Sequence, residues 1–232
     1  MQSKSKKNNE FLVADFASGE HDRVPSFFIK EIPEFMKGIE INNQTTVYSI
    51  DLHALRLDSL LGTLEESSLL ERTRVIHANL ASMNKMAEFR PDMKKFLDQN
   101  EDVLTSLDSF LLMKKRIPPE CFDIGILNND VVGYLHEYYK DYGDAIDALR
   151  SIYETIRKGA LLIVTQPCMV NIVDNVAVLE SIGFKFMEGL DVNLADRSIS
   201  YVRKNAKPQN LIRLNHYVFM VFSKVDSSRI ES

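Results

Sequence analysis

Short runs of β-branched and aromatic residues alternate along this chain with longer amphipathic segments. This alternation constrains the fold most strongly, because strands that are apolar on both faces pair in parallel and need helices on both faces of the sheet. The pattern predicts an α/β fold with a doubly wound, mostly parallel sheet. The predicted strands are 11–16, 45–50, 74–78, 122–127 and 160–165, with further candidates at 184–190, 199–203 and 217–223.

Between these runs, apolar residues recur at helical spacing. The predicted helices are 26–37, 55–70, 142–158 and 172–181. Glycines that follow a helical pattern commonly end the helix, so we expect Gly38, Gly159 and Gly183 to act as stops. The long segment 83–116 is also helical in period, and we expect two helices there, broken around Asn100. It is either a lid over a site beside the strand ends or an extra helical layer at the sheet edge.

A chain of 232 residues with 45% hydrophobic residues can bury a core without disulfide or metal support. We expect one domain over 11–224, which contains 83–116 as a helical insertion, with a disordered tail at 1–10 and a flexible one at 225–232. Cys121 and Cys168 are too far apart, and too isolated from other Cys and His residues, for a zinc ribbon or a redox pair. No metal site is predicted.

The formal net charge of -5 disfavours a protein that coats nucleic acid through a general basic surface. A local nucleic-acid contact is not excluded, because basic residues recur within 83–116. The strongly apolar stretch 160–164 is far shorter than the roughly 20 residues that span a bilayer, and the N-terminus has no hydrophobic signal core. The expectation is a cytoplasmic protein with no membrane partner.

In a parallel α/β sheet, ligands bind beyond the carboxyl ends of the strands. Asp15 ends the first predicted strand and is followed by the small residues Ala17, Ser18 and Gly19, which allow a ligand to approach the backbone. Asp51 follows the second strand, where a carboxylate can accept hydrogen bonds from both hydroxyls of a ribose. The sequence therefore predicts a nucleoside-binding site at this edge.

The order of elements and these residues together resemble the class I S-adenosylmethionine (SAM)-dependent methyltransferases, over roughly residues 10 to 224. Asp15-x-Ala17-x-Gly19 is similar to the glycine-rich loop of the family, and Asp51 matches its second-strand acid. The run 217–223 is similar to the family's closing antiparallel strand. The resemblance implies a Rossmann-like architecture with an antiparallel strand near the C-terminus, SAM as the cofactor, and methyl transfer as the activity.

The resemblance also implies the residues that contact the cofactor. They are Asp15, Ala17, Ser18, Gly19, Asp51, Leu52, Asn79, Leu80 and Asn128. The Asn/Asp-Pro-Pro-Tyr signature of enzymes that methylate base or glutamine nitrogens is absent, since residues 128–131 read Asn-Asn-Asp-Val. This absence disfavours base and glutamine nitrogens as methyl acceptors but does not identify the acceptor. The first expectation is a small molecule.

Two alternatives remain open at this point. The loop keeps Gly19 but has Ala17 and His21 where the family has its other glycines, which favours a catalytically inactive binding or scaffold protein as the second reading. A nicotinamide-dependent oxidoreductase is weaker, because the loop lacks Gly-x-Gly-x-x-Gly. His136, beyond the fourth strand, is either a general base or a surface histidine, and His21 and His53 are candidate ligand contacts.

Overall fold

Nine strands form one sheet in the computed structural model, which describes residues 10–35, 44–138, 142–167, 172–202 and 215–225. The strands are β1 (Glu10–Phe16), β2 (Gln44–Asp51), β3 (Thr73–His77), β4 (Glu88–Phe89), β5 (Phe122–Leu127), β6 (Ile156–Gln166), β7 (Phe184–Asn193), β8 (Ile199–Tyr201) and β9 (His216–Lys224). All the predicted strands are present, with somewhat different ends, and β4 is an addition that the sequence did not predict.

The strand order is β4-β3-β2-β1-β5-β6-β9-β7-β8. Strands β1, β2, β3, β5 and β6 pair in parallel, whereas β9 pairs antiparallel with both β6 and β7. The order reverses between β1 and β5, so the loops after these two strands leave toward opposite sides and open a crevice. The prediction of a mostly parallel α/β sheet with an antiparallel strand near the C-terminus is confirmed.

Helices cover both faces of the sheet. They are α1 (Arg23–Ser26), α2 (Ile32–Phe35), α3 (Ala54–Glu66), α4 (Pro91–Gln99), α5 (Ser106–Lys114), α6 (Val131–Tyr138), α7 (Tyr142–Thr155) and α8 (Ile172–Ile182). Successive residues of a strand point to opposite faces, so Leu12, Ala14 and Phe16 of β1 pack with α5 to α8, whereas Val13 packs with α1. A third cluster joins α3, β3 and α4.

Between α1 and α2 the chain makes a π-helical turn, Phe27–Glu31, so the three pieces form one continuous bent helix. Pro33 follows this turn and has no N–H to donate to the carbonyl four residues earlier, which explains the local change of helix type. Pro25 lies in the first turn of α1, where its missing N–H costs no helical hydrogen bond. Gly38, the expected stop, lies outside the described residues.

The segment 83–116 contains the two predicted helices, α4 and α5, and Asn100 is the residue at which α4 ends. Met93 and Leu97 of α4 pack against α3, and Leu107 and Leu111 of α5 join the main core on the other face. A capping box begins α5, with Thr105 and Asp108 bonded to each other's backbone N–H. The segment therefore wraps the sheet edge near β3.

A buried ion pair fastens α5 to the sheet. Arg74 of β3 donates from Nε to Asp108 Oδ2 at 2.8 Å, and both side chains are at most 1% exposed. Tyr48 of β2 donates from its hydroxyl to Asp108 Oδ1 at 2.9 Å. Arg74 also donates to the carbonyls of Glu71, Thr73 and Val103. Every charge in this cluster is thus paired within the protein.

The helix predicted over 142–158 ends earlier than expected, and Gly159 is not its stop. Helix α7 ends at Thr155, and β6 begins directly at Ile156. The ammonium of Lys224, far along the chain on β9, donates to the carbonyls of Tyr153 and Ile156 at 2.9 and 2.7 Å. The backbone N–H of Cys121 donates to the carbonyl of Thr155. These tertiary contacts end the helix, and local sequence does not reveal them.

The first strand begins at Glu10, one residue earlier than predicted, and Glu10 therefore does not belong to the N-terminal tail. The Glu10 carboxylate accepts hydrogen bonds from the backbone N–H and the hydroxyl of Ser106, at 3.0 and 2.6 Å. The rest of the N-terminal tail, residues 226–232, Cys168 and Arg203 lie outside the described residues. No helix in the described ranges is long and apolar enough to cross a bilayer.

Candidate functional site

A cavity of about 280 Å³ lies at the carboxyl ends of β1, β2 and β5, where the strand order reverses. We call it the carboxyl-edge cavity. Its position is the one at which open α/β sheets bind ligands. Its lining residues come from the loops after these strands and from the helices that follow, namely Asp15, Ala17, Ser18, Gly19, His21, Arg23, Val24, Asp51, Leu52, His53, Arg56, Leu80, Asn128, Asn129, Val131, Tyr134 and Leu135.

Asp51 is the last residue of β2 and is only 4% exposed. Its Oδ2 accepts from the backbone N–H of Gly19 at 2.9 Å, and its Oδ1 accepts from the backbone N–H of His53 at 2.7 Å. These bonds tie the loop after β1 to the end of β2 and orient the carboxylate. A carboxylate has about four acceptor positions, so each oxygen can still accept a hydroxyl from a ligand.

Asp15 lies beside Asp51 and is 2% exposed. Burial raises the pKa of the Asp15 carboxyl well above its usual range, and the neighbouring Asp51 carboxylate raises this pKa further. Within the described part of the chain, no donor forms a hydrogen bond to Asp15. Two buried carboxyls therefore share one wall of the cavity, but only Asp51 is stabilised by backbone donors.

The loop between these acids carries further signs of a binding site. Ala17 and Gly19 both have positive φ, at 56° and 68°, a conformation that is costly for alanine and easy for glycine. The hydroxyl oxygen of Ser18 is buried and has no hydrogen-bond partner among the described residues. A strained backbone and an unpartnered buried oxygen on the cavity wall are what a polar ligand group would compensate.

The loop after β5 forms the opposite wall. Asn128 Oδ1 accepts from the hydroxyls of Thr165 and Tyr217 at 2.6 and 3.1 Å. This orientation leaves the Asn128 amide nitrogen as a donor without a partner among the described residues. Asn129 and Asp130 follow with φ of 67° and 62°, and Thr165 holds both by accepting from their backbone N–H groups.

Asp130 begins α6 and links this loop to α8. Its Oδ1 accepts from the side-chain amide of Asn175 at 3.3 Å, and Asn175 also donates to Gln166 at 3.0 Å. Burial raises the pKa of the Asp130 carboxyl, and the bonds from Gly133 and Asn175 partly oppose this. A Cβ at Gly133 would lie 2.8 Å from Asp130 Oδ2, so glycine allows this close approach.

The structure brings together nearly all of the predicted cofactor residues. Asn79 is the exception: its side chain accepts from the backbone N–H of Ala81 at 3.0 Å and caps a short helical turn, and it does not line the cavity. His21 and His53 do line it. His136 lies on α6 but is absent from the lining, so the candidate general base has no contact with this cavity.

Sequence reasoning missed several lining residues. Tyr134 and Leu135 belong to α6, which was not predicted as a helix, although Asp130, just before its first residue, is a good helix N-cap type. Arg23 and Arg56 lie in the first turns of the helices after β1 and β2, and their position behind the strand ends was an available signal. The segment 83–116 contributes no residue to the lining of this cavity. Its helix α4 packs against α3, and its helix α5 packs into the main core.

The described residues include no group of three or more His, Cys, Asp or Glu side chains that could hold a metal ion. Polar groups around the carboxyl-edge cavity are instead acceptors and donors suited to an organic ligand. Two carboxyls, the Ser18 hydroxyl and the Asn128 amide surround it, with Leu80, Val131 and Leu135 as apolar contacts.

Neither a protein-family model nor a curated protein matches the sequence of this chain. Solved structures do match its fold. A SAM-dependent methyltransferase from Methanosarcina mazei superposes with a TM-score of 0.53 at 8% identity, over 94% of this chain and 93% of that one. A TehB-like SAM-dependent methyltransferase from Corynebacterium glutamicum gives 0.50 at 12% identity, over 92% and 80%.

The cyclase SpnF also matches, with a TM-score of 0.50 at 12% identity over 94% of this chain and 77% of that one. One fold therefore occurs in proteins whose names describe different reactions. The strand order, the crevice between β1 and β5 and these likenesses agree, and this chain has the fold of the class I SAM-dependent methyltransferases.

Proposed function

We propose that this protein binds SAM in the carboxyl-edge cavity and transfers its methyl group to a small-molecule acceptor. The observation that carries the proposal is the oriented Asp51 carboxylate at the end of β2, in the same cavity as the unpartnered Ser18 oxygen. A ribose has two adjacent hydroxyls, and a carboxylate at this position in such folds accepts hydrogen bonds from ribose hydroxyls.

In this proposal the residues after β1 and β2 hold the cofactor. Asp51 accepts the ribose hydroxyls, and Leu52 and Leu80 contact the adenine. Asp15, Ala17, Ser18 and Gly19 surround the methionine end. Asn128 donates its free amide from the β5 side. Asn79 acts indirectly, because its cap fixes the turn that carries Leu80.

SAM supplies a methyl group already activated on a sulfonium, so the protein contributes mainly alignment of the two reactants. Asn129 and Tyr134 lie on the β5 side of the cavity, where an acceptor would approach. The rigid loop formed by Asn129 and Asp130 would fix that approach, because Thr165 holds both backbone N–H groups.

Calorimetric titration with SAM and S-adenosylhomocysteine tests the proposal. We expect micromolar binding by the native protein and about 10- to 100-fold weaker binding by Asp51→Asn, since hydrogen bonds to a charged group contribute roughly 1.5–3 kcal/mol. The matched control is Asp58→Asn, which alters an acid of α3 that is 47% exposed and pairs with Arg90. Unchanged affinity in Asp51→Asn, or no binding by the folded native protein, would contradict the proposal.

A binding role without methyl transfer is the second candidate. The strained Ala17 in the loop and the position of His136 away from the cavity favour it. The two candidates differ in one measurement, the transfer of labelled methyl from SAM to a panel of small hydroxyl, amine, thiol and carboxyl compounds. Labelled product supports the transferase, whereas tight binding of SAM with no product across the panel supports the binding role.

A further inference from the structure

A second cavity, of about 350 Å³, lies at the opposite edge of the sheet, near the amino ends of β1 and β2. We call it the amino-edge cavity. It lies under the bent helix formed by α1, the π-helical turn and α2, and shares no lining residue with the first cavity. Its lining residues are Phe11, Phe28, Ile32, Pro33, Thr45, Arg72 and Ile124.

The walls of this cavity are mainly apolar. Phe28 is buried, and Phe11, Ile32 and Ile124 are only partly covered by the protein. They pack at the border of a small cluster between the bent helix and the sheet. An apolar ligand that filled the cavity would remove more of their surface from water, which favours binding.

Among the described residues that line this cavity, Arg72 is the only charged one. Its Nε donates to the carbonyl of Thr45 at 3.0 Å, which fixes the guanidinium at the wall. In the described ranges, neither terminal amino group of Arg72 has an acceptor, and no carboxylate lies within ion-pair distance. Burial lowers the pKa of Arg72, and the neighbouring Glu71 charge only partly opposes this.

A cation that is partly removed from water and has no counterion is costly for the protein. A guanidinium also presents its donors in a planar fork that matches the two oxygens of a carboxylate. Apolar walls and one such fork together define the chemistry of a ligand that has an apolar body and a single carboxylate.

We propose that the amino-edge cavity is a binding site for an amphipathic monocarboxylate, such as a medium-chain fatty acid. The carboxylate pairs with the Arg72 guanidinium, and the apolar chain lies against Phe11, Phe28 and Ile124. This site is independent of methyl transfer and does not rest on the function proposed above.

Titration with octanoate, acetate and 1-octanol tests the site. We expect octanoate to bind with 1:1 stoichiometry, and acetate and 1-octanol to bind at least tenfold more weakly, because each lacks one of the two recognition elements. Arg72→Gln removes the charge and should weaken octanoate binding at least tenfold. Arg56→Gln removes an arginine from the carboxyl-edge cavity and should leave octanoate binding unchanged, which locates the site.

Ile32→Trp provides a second variant in case Arg72→Gln does not fold. It places a larger side chain on the cavity wall that α2 contributes and should also weaken octanoate binding. The proposal would be overturned if the native protein did not bind octanoate, or if Arg56→Gln lost octanoate binding. It would also be overturned if Arg72→Gln bound octanoate as tightly as the native protein does. If Arg72→Gln is unfolded, equal binding by Ile32→Trp has the same meaning.

Discussion

Two buried acids in this protein, Asp108 and Asp15, lie in opposite kinds of surroundings. Asp108 accepts from Arg74, from the Tyr48 hydroxyl and from the backbone N–H of Thr105. Asp15 accepts from no donor in the described part of the chain and faces the carboxylate of Asp51. Complete pairing is typical of a structural cluster, whereas a buried acid with incomplete pairing is typical of a functional site.

The two cavities show the same contrast. At the carboxyl edge, polar groups converge from the ends of β1, β2 and β5, and those of Asp15, Ser18 and the Asn128 amide nitrogen have no partner among the described residues, so the cavity is suited to a polar organic ligand. At the amino edge, the described lining is apolar except for Thr45 and the charged Arg72. At the switch point the loops after β1 and β5 leave toward opposite sides of the sheet and open a crevice between them. Polar residues of both loops line that crevice, which is a feature of the carboxyl edge. The sheet therefore offers two chemically different sites.

The largest effect is expected from breaking the paired cluster. Asp108→Ala leaves Arg74 charged and buried without its partner, and should lower the free energy of unfolding by about 3–5 kcal/mol. Denaturant unfolding measures this loss. The control is Asp58→Ala, which breaks the half-exposed pair with Arg90 and should cost at most about 1 kcal/mol. Equal losses in the two variants would show that burial does not set the strength of these pairs.

The second effect concerns the unpaired acid and its dependence on pH. The pKa of Asp15 is raised in the folded protein, so its contribution to stability is present below the unfolded pKa of about 3.9 and is lost as pH rises through the folded pKa. Relative to Asp15→Asn, the native protein should therefore become progressively less stable as pH rises above about 4. Thermal unfolding of both proteins across this range measures the difference.

Asp58→Asn again serves as the control for this pH series, because it makes the same chemical change at a half-exposed acid outside the cavity. A stability difference between the native protein and Asp15→Asn that stays constant from pH 4 to 8 would contradict the account of Asp15.

The smallest effect compares a glycine of the site with one outside it. Gly19→Ala places a side chain on a residue with φ of 68°, and the backbone strain should lower the free energy of unfolding by about 1–2 kcal/mol. The added Cβ would meet no atom within 4 Å, so a steric clash does not contribute to this loss. Gly62→Ala, in the exposed middle of α3, also meets no atom but should stabilise the protein by about 0.5–1 kcal/mol. A neutral or stabilising effect of Gly19→Ala would rule out strain at Gly19.

Much of the site was predictable because its signals are local. Asp15, Gly19 and Asp51 stand directly after apolar runs, and parallel pairing brings the ends of such runs together. His136 and Asn79 also lie near strand ends in sequence, but neither lines the cavity. The Asn79 side chain instead caps the short helical turn that carries Leu80.

The sequence by itself determined the alternation of strands and helices, and with it the parallel sheet and the acids at its carboxyl edge, because apolar periodicity and strand ends are properties of neighbouring residues. Tertiary structure alone decided where α7 ends, since Lys224 donates to the carbonyls of Tyr153 and Ile156 at the junction of α7 and β6 from 68 or more residues away. It also decided how 83–116 wraps the sheet edge, how Asp108 is paired and that Arg72 lines a cavity. Those features depend on contacts between distant segments, and such contacts leave no pattern in the local sequence.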